Sequence, residues 1–170
     1  MKKIKKLTAL LLTLVMSLAL AVPCFAAGSN AGIESYTYDL GNGITAVITV
    51  QPAENVPKPY APTVDVNRTA SPNDHFSLPL YPSDGSMCNA HVMNMAPLRS
   101  DINMSVHFEV VFYNGQNFEP RSFTVTPRHT ATINLVDNRG VGLDCEISVD
   151  VTAMNADSVD YNYWHFQENN

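Results

Sequence analysis

Apolar and polar residues alternate one by one over much of this chain. A period of two is the signature of a strand, because successive side chains of a β-strand point to opposite faces of its sheet. Met104, Val106, Phe108, Val110 and Phe112 fall on one side of such a run, and Leu143, Cys145, Ile147, Val149 and Val151 on one side of another. Ala131, Ile133 and Leu135 form a third row, and Val159, Tyr161 and Tyr163 a fourth. A helix would scatter these residues around its circumference, so the fold class they predict is all-β.

Turn chemistry separates the runs. Tyr36, Tyr38 and Leu40 lead to Gly41-Asn42-Gly43, after which Ile44, Ala46, Ile48 and Val50 alternate again. Glycine and asparagine supply the positive φ of a tight turn, which makes residues 34–51 a hairpin. Asn114-Gly115 gives the same signal after Phe112, with Phe123 and Val125 continuing the pattern, and Asp137-Asn138-Arg139-Gly140 turns the chain before Leu143. Residues 52–82 differ, because they hold seven of the eleven prolines. Proline removes a ladder donor, so this segment is expected to lack long regular strands and to form extended edge segments and ordered loops connecting one layer to the other. An isolated hairpin is marginal in water, so residues 34–51 are expected to pack with 104–166 in one domain over 27–170. Seven or so strands then fit a two-layer antiparallel β-sandwich, with a small β-barrel as the alternative.

Residues 1–26 have the three parts of a secretory signal peptide: a basic start from Met1 to Lys6, an apolar run from Leu7 to Val22, and a small-residue exit. Cys24 and Ala26 place cleavage after Ala26, and Pro23 before Cys24 argues against a lipid anchor at that cysteine. After cleavage no segment approaches the length of a spanning helix, so no membrane association is expected. This plain leader points to a bacterial protein secreted to the extracellular space. Four of the ten basic residues lie in it, while all sixteen acidic residues lie beyond it. Nucleic acid is thereby excluded as a partner, since phosphate binding needs a basic patch.

Candidate chemistry is sparse. Cys88 and Cys145 remain after cleavage, in a compartment where a disulfide persists, and a bridge between them would add about 4 kcal/mol on the chain-entropy model. His91, Met93 and Met95 stand at i, i+2 and i+4, so on a strand they would share a face, and imidazole beside thioethers is a donor set for monovalent copper. The competing reading has methionine filling gaps in the core and the histidine satisfied at a strand end. His107 and Glu109 share the outward side of one strand, and Asp144, Glu146 and Asp150 that of another. Close together they would make a hard-metal or acid–base site, and apart they are a solvated face. The aromatic run at the C-terminal end sends Tyr161 and Tyr163 one way and Trp164 and Phe166 the other. One pair belongs to the core, and Trp164 and Phe166 either cover the open end of a sheet or form a ligand platform.

No nucleophile elbow, zincin pair or phosphate loop occurs. The sequence therefore predicts a non-enzymatic, cofactor-free extracellular module acting on a protein partner or associated with a surface. The alternatives are a carbohydrate-binding module and, further off, a small extracellular enzyme or copper-binding protein.

Overall fold

The computed structural model describes residues 32–58 and 62–167, so the expected leader and its cleavage site lie outside the described residues. Strands β1 (Glu34–Gly41) and β2 (Ile44–Pro52) form the first hairpin. Asn42 and Gly43 turn it with φ of 51° and 75°, left-handed backbone that these two residue types accept most readily. Then come β3 (Val64–Ala70), β4 (Asn73–Leu80), β5 (Met87–Asn94), β6 (Met104–Phe112), and the short β7 (Asn117–Phe118) and β8 (Phe123–Val125). The last three are β9 (His129–Asp137), β10 (Cys145–Ala153) and β11 (Val159–Gln167).

These strands make two sheets in which every pair is antiparallel. One has six strands in the order β1-β2-β9-β5-β11-β3; the other runs β4-β10-β6-β7, with β8 also on β6. Among the described residues neither edge strand of the six-stranded sheet pairs through a backbone ladder with the other sheet, so the arrangement is a pair of packed sheets, as in a β-sandwich, and not the alternative closed barrel. The hairpin of residues 34–51 joins the six-stranded sheet through β2 and β9.

The alternation sorts side chains as the sequence indicates. Val106, Phe108 and Val110 of β6 and Ile147 and Val149 of β10 are fully buried, in one core with Ala46 and Ile48 of β2, Ala90 and Val92 of β5, and Ile133 and Leu135 of β9. Burying each large aliphatic side chain contributes about 1.5–3 kcal/mol. Tyr36 and Tyr38 of the edge strand β1 are half-buried and close one side of the core, with ring centroids 5.4 Å from Phe123 and 5.0 Å from Phe118. At the opposite side Arg68 donates two hydrogen bonds to Asp74, at 2.6 and 2.8 Å, and the Tyr161 hydroxyl donates a third at 2.6 Å. Those contacts tie β3, β4 and β11 together across the two sheets.

Two expectations need correction. The proline-rich segment does contain regular strands, β3 and β4, of seven and eight residues. Both are edge strands, one in each sheet, so Pro79 within β4 has a partner strand on one side alone and its missing N–H is tolerated. The expected crossing from one layer to the other takes place at Ser71-Pro72, between these strands. The strand count is also higher than seven, because β3, β4, β5 and the short β7 add to the rows visible by alternation.

Candidate functional site: the outer face of the six-stranded sheet

The register aligns outward side chains into rows that cross the sheet. One row runs Ser35, Thr49, Thr132, His91, Trp164 and Asp65 from edge to edge. On one side of it lie Val47, Asn134, Asn89 and Phe166, and on the other Gln51, Thr130, Met93, Asn162 and Asn67. Of the four inner strands, β2, β9 and β5 carry no Asp, Glu, Lys or Arg at any of their outward positions, while β11 carries Asp160 near its start. Hydroxyls, carboxamides and one imidazole stand on those three strands, with Val47, Val136, Met87 and Met93 among them.

A short strap lies over these rows. Pro52 ends β2, and Ala53–Asn55 form one turn of 3-10 helix, anchored by the Ala53 N–H donating to the Arg128 carbonyl at 2.8 Å. Val56 is then buried, and Lys58 reaches Asp65 at 2.7 Å with its ammonium 5.3 Å from the centroid of the Trp164 ring. Cation and indole face attract at that separation. Trp164 is 3% exposed although its strand position points outward. It is neither an open platform nor part of the core between the sheets; it is covered by the strap and by His91. Phe166, one step further along β11, stays 36% exposed.

His91 stacks on Trp164 with centroids 4.8 Å apart and planes 9° from parallel, while its Nδ1 hydrogen-bonds the Thr132 hydroxyl at 2.9 Å. Burial pushes its pKa down to about 4, so the ring is neutral at pH 7. His91, Thr132, Asn89 and Asn134 line a groove of about 420 Å³ that Val56 and Pro57 of the strap border on one side and Phe166 on another. Among the described residues three side-chain atoms at this face are buried without a hydrogen-bond partner: the Thr130 Oγ1, the Asn134 Oδ1 and the Trp164 Nε1. Beyond the strap a second cavity of about 590 Å³ is lined by Met93, Leu98, Arg128 and His129.

The residues singled out for metal binding are not gathered. His91 opens on the first cavity and Met93 on the second, and Met95 lies past the end of β5, which stops at Asn94. The shared face needed strand from His91 through Met95, and β5 ends one residue before Met95. Cys88 and Cys145 lie buried on β5 and β10, in different sheets, as free thiols rather than the expected bridge. Burial pushes both pKa values up to about 12, with the charge of Cys145 adding to the rise at Cys88.

The charged candidates occupy the outer face of the other sheet. His107 and Glu109 on β6 neighbour Asp150 and Ser148 on β10, and Glu146 stands opposite Val111, so the strands are indeed adjacent. Asp150 accepts from His75 Nδ1 at 2.7 Å, in a pair about half exposed on both sides, and Ser122 contacts His107 at 3.4 Å. Asp144 is exposed before β10 begins. His107, Glu109, Glu146 and Asp150 are half-buried along this row, and among the described residues no group of three His, Cys, Asp or Glu has the geometry to hold a metal ion.

No family model, curated protein or solved structure matches the chain. Among the described residues no helix is long and apolar enough to cross a membrane.

Proposed function

We propose that the chain is a bacterial export product, cleaved after Ala26, that works outside the cell as a non-catalytic binding module and meets its partner through the outer face of the six-stranded sheet. The observation that carries this reading is the strapped groove of about 420 Å³, which among the described residues is lined by no Asp, Glu, Lys or Arg. Ligand sites are typically concave, partly apolar and fitted with a few placed polar groups. Catalysis asks for acid–base groups held together and shielded from water. His107, Glu109 and Asp150 stand on an open sheet face, which supports a solubilising role. A protein partner or surface association is the broad class for such a module, and the acidic balance disfavours nucleic acid. A glycan is the second reading, and the uncharged carboxamide lining of the groove favours it.

Intact-mass measurement of exported material is expected to place the N-terminus at Ala27, and a lipid-modified Cys24 would contradict soluble release. Assay of the mature protein on polysaccharide, peptidoglycan and peptide substrates is expected to give no turnover. Turnover abolished by His107→Ala in a folded protein would make the chain an enzyme.

A further inference from the structure

We propose that the strapped groove binds a neutral glycan, with Phe166 packing on a sugar ring and Asn89, Asn134 and His91 hydrogen-bonding its hydroxyls. The proposal rests on the reading of the chain as a binding module and names the ligand class of that same face.

Three observations select this chemistry. Among the described residues, the groove is lined by no Asp, Glu, Lys or Arg, and His91, 8% exposed, is held neutral by burial. Lys58, which follows the lining residue Pro57 in the strap, is already paired with Asp65 at 2.7 Å. An anionic or cationic ligand would lose its hydration there with no opposite charge in return. Second, the polar lining is made of groups that either donate and accept or wait for a partner. The Asn134 Oδ1 is buried without a donor, and His91 has Nδ1 committed to Thr132, which leaves Nε2 as the ring's other polar atom. A buried acceptor left unpaired is a cost that native structures rarely carry without water or ligand to meet it. A sugar hydroxyl both donates and accepts, so it suits a carboxamide oxygen and an imidazole nitrogen of either tautomer. Third, Phe166 keeps 36% of its surface exposed beside these groups, and the C–H face of a pyranose is an apolar surface that stacks on an aromatic ring. A peptide strand adding to a sheet needs an edge with free backbone groups, whereas this groove lies over the inner strands, whose ladders are filled on both sides.

The test uses the mature protein and a panel of hexaoses of glucose, mannose, xylose and N-acetylglucosamine. Binding is read by titration calorimetry and by the fluorescence of Trp164, the single tryptophan, which stacks on the groove residue His91. Saturable binding of at least one hexaose with a matching fluorescence change is expected. Phe166→Ala and Asn89→Ala should each weaken it about tenfold, while Glu146→Gln on the opposite sheet leaves it unchanged. Should either groove variant misfold, shifts of the Asn89 and Asn134 side-chain amides in the unmutated protein decide the location.

If no hexaose binds but the protein adheres to bacterial cell surfaces in a way that protease treatment of the cells abolishes and periodate does not, the glycan inference is overturned and the binding module stands. If neither hexaoses nor cell surfaces bind, both readings fall. Hydrolysis of a bound hexaose would overturn the binding module itself.

Discussion

The two outward faces of this molecule are built from the same alternating strands and solve different problems. The inner strands of the five-stranded sheet carry His107, Glu109, Glu146 and Asp150 outward, half-exposed and, among the described residues, under no strap like that of the other sheet. Such charges keep a sheet soluble and discourage pairing with other chains. Strands β2, β9 and β5 of the six-stranded sheet show hydroxyls and carboxamides among apolar side chains and no Asp, Glu, Lys or Arg, and a strap from the end of β2 partly covers them. Uncharged polar groups can be desolvated at far lower cost than ions. The contrast teaches that one face is arranged to remain wet and the other to be covered.

The largest difference between the faces is expected at their centres. Trp164→Ala removes the ring against which His91 and the Lys58 ammonium rest, and should cost about 3–5 kcal/mol, the range for truncating a buried aromatic. Chemical denaturation measures it. A loss under about 1 kcal/mol, closer to that of an exposed site, would show that the strap does not bury this residue.

A pH titration separates the faces next. The folded-state pKa of His91 is depressed to about 4, so its neutral form is native at pH 7 and the unfolded chain, titrating near 6.5, takes up its proton first as the pH falls. Stability should therefore be complete above about pH 6.5 and decline by up to about 3 kcal/mol toward pH 4. His165, also lowered by burial, acts in the same direction. His91→Gln should flatten much of that slope, read as melting temperature against pH, and an unchanged slope would place the histidine in water. At lower pH a second decline belongs to Asp74, whose hydrogen bonds from Arg68 hold its pKa down to about 2. Its contribution, about 1–2 kcal/mol, is present above roughly pH 4 and lost as the pH falls toward 2.

How much of this was legible before the structure follows from what alternation encodes. A period of two tells which side of a strand is buried, so the core rows of β6, β9 and β10 and the hairpin of β1 and β2 were readable directly. It does not tell which strands pair or what lies above an outward residue. Trp164 reads equally well as cover or platform, because its cover comes from Lys58, whose contact with the neighbouring Asn162 spans 104 residues of sequence. Strands β3 and β4 were hidden by the prolines that flank them and by Pro79 within β4, which its edge position excuses. Asn89 and Asn134 went unnoticed because outward polar residues on strands ordinarily meet water. One signal was present: the outward positions of β2, β5 and β9 hold no Asp, Glu, Lys or Arg, whereas β6 and β10 hold three carboxylates at theirs.

Smaller effects sharpen the comparison. Thr132→Val deletes the hydroxyl that holds His91 Nδ1 and should cost about 1 kcal/mol, the usual value of such a bond. A double-mutant cycle with His91→Gln should show the two changes coupled. Between the sheets, the buried thiols of Cys88 and Cys145 are expected to resist a thiol reagent in the folded protein and to react after denaturation, and a failure to react then would reveal a bridge. Smallest of all, Asp150→Asn breaks the exposed pair with His75 and should change stability by no more than about 0.5 kcal/mol.

The claim that the covered face is the binding face is tested most directly by a residue-by-residue nuclear magnetic resonance comparison of both sheets with and without the neutral hexaoses. The account predicts shifts at the backbone and side-chain amides of Asn89 and Asn134 and at the Trp164 indole, with Ser105, Glu109 and Glu146 unmoved. Shifts confined to the five-stranded sheet would contradict it.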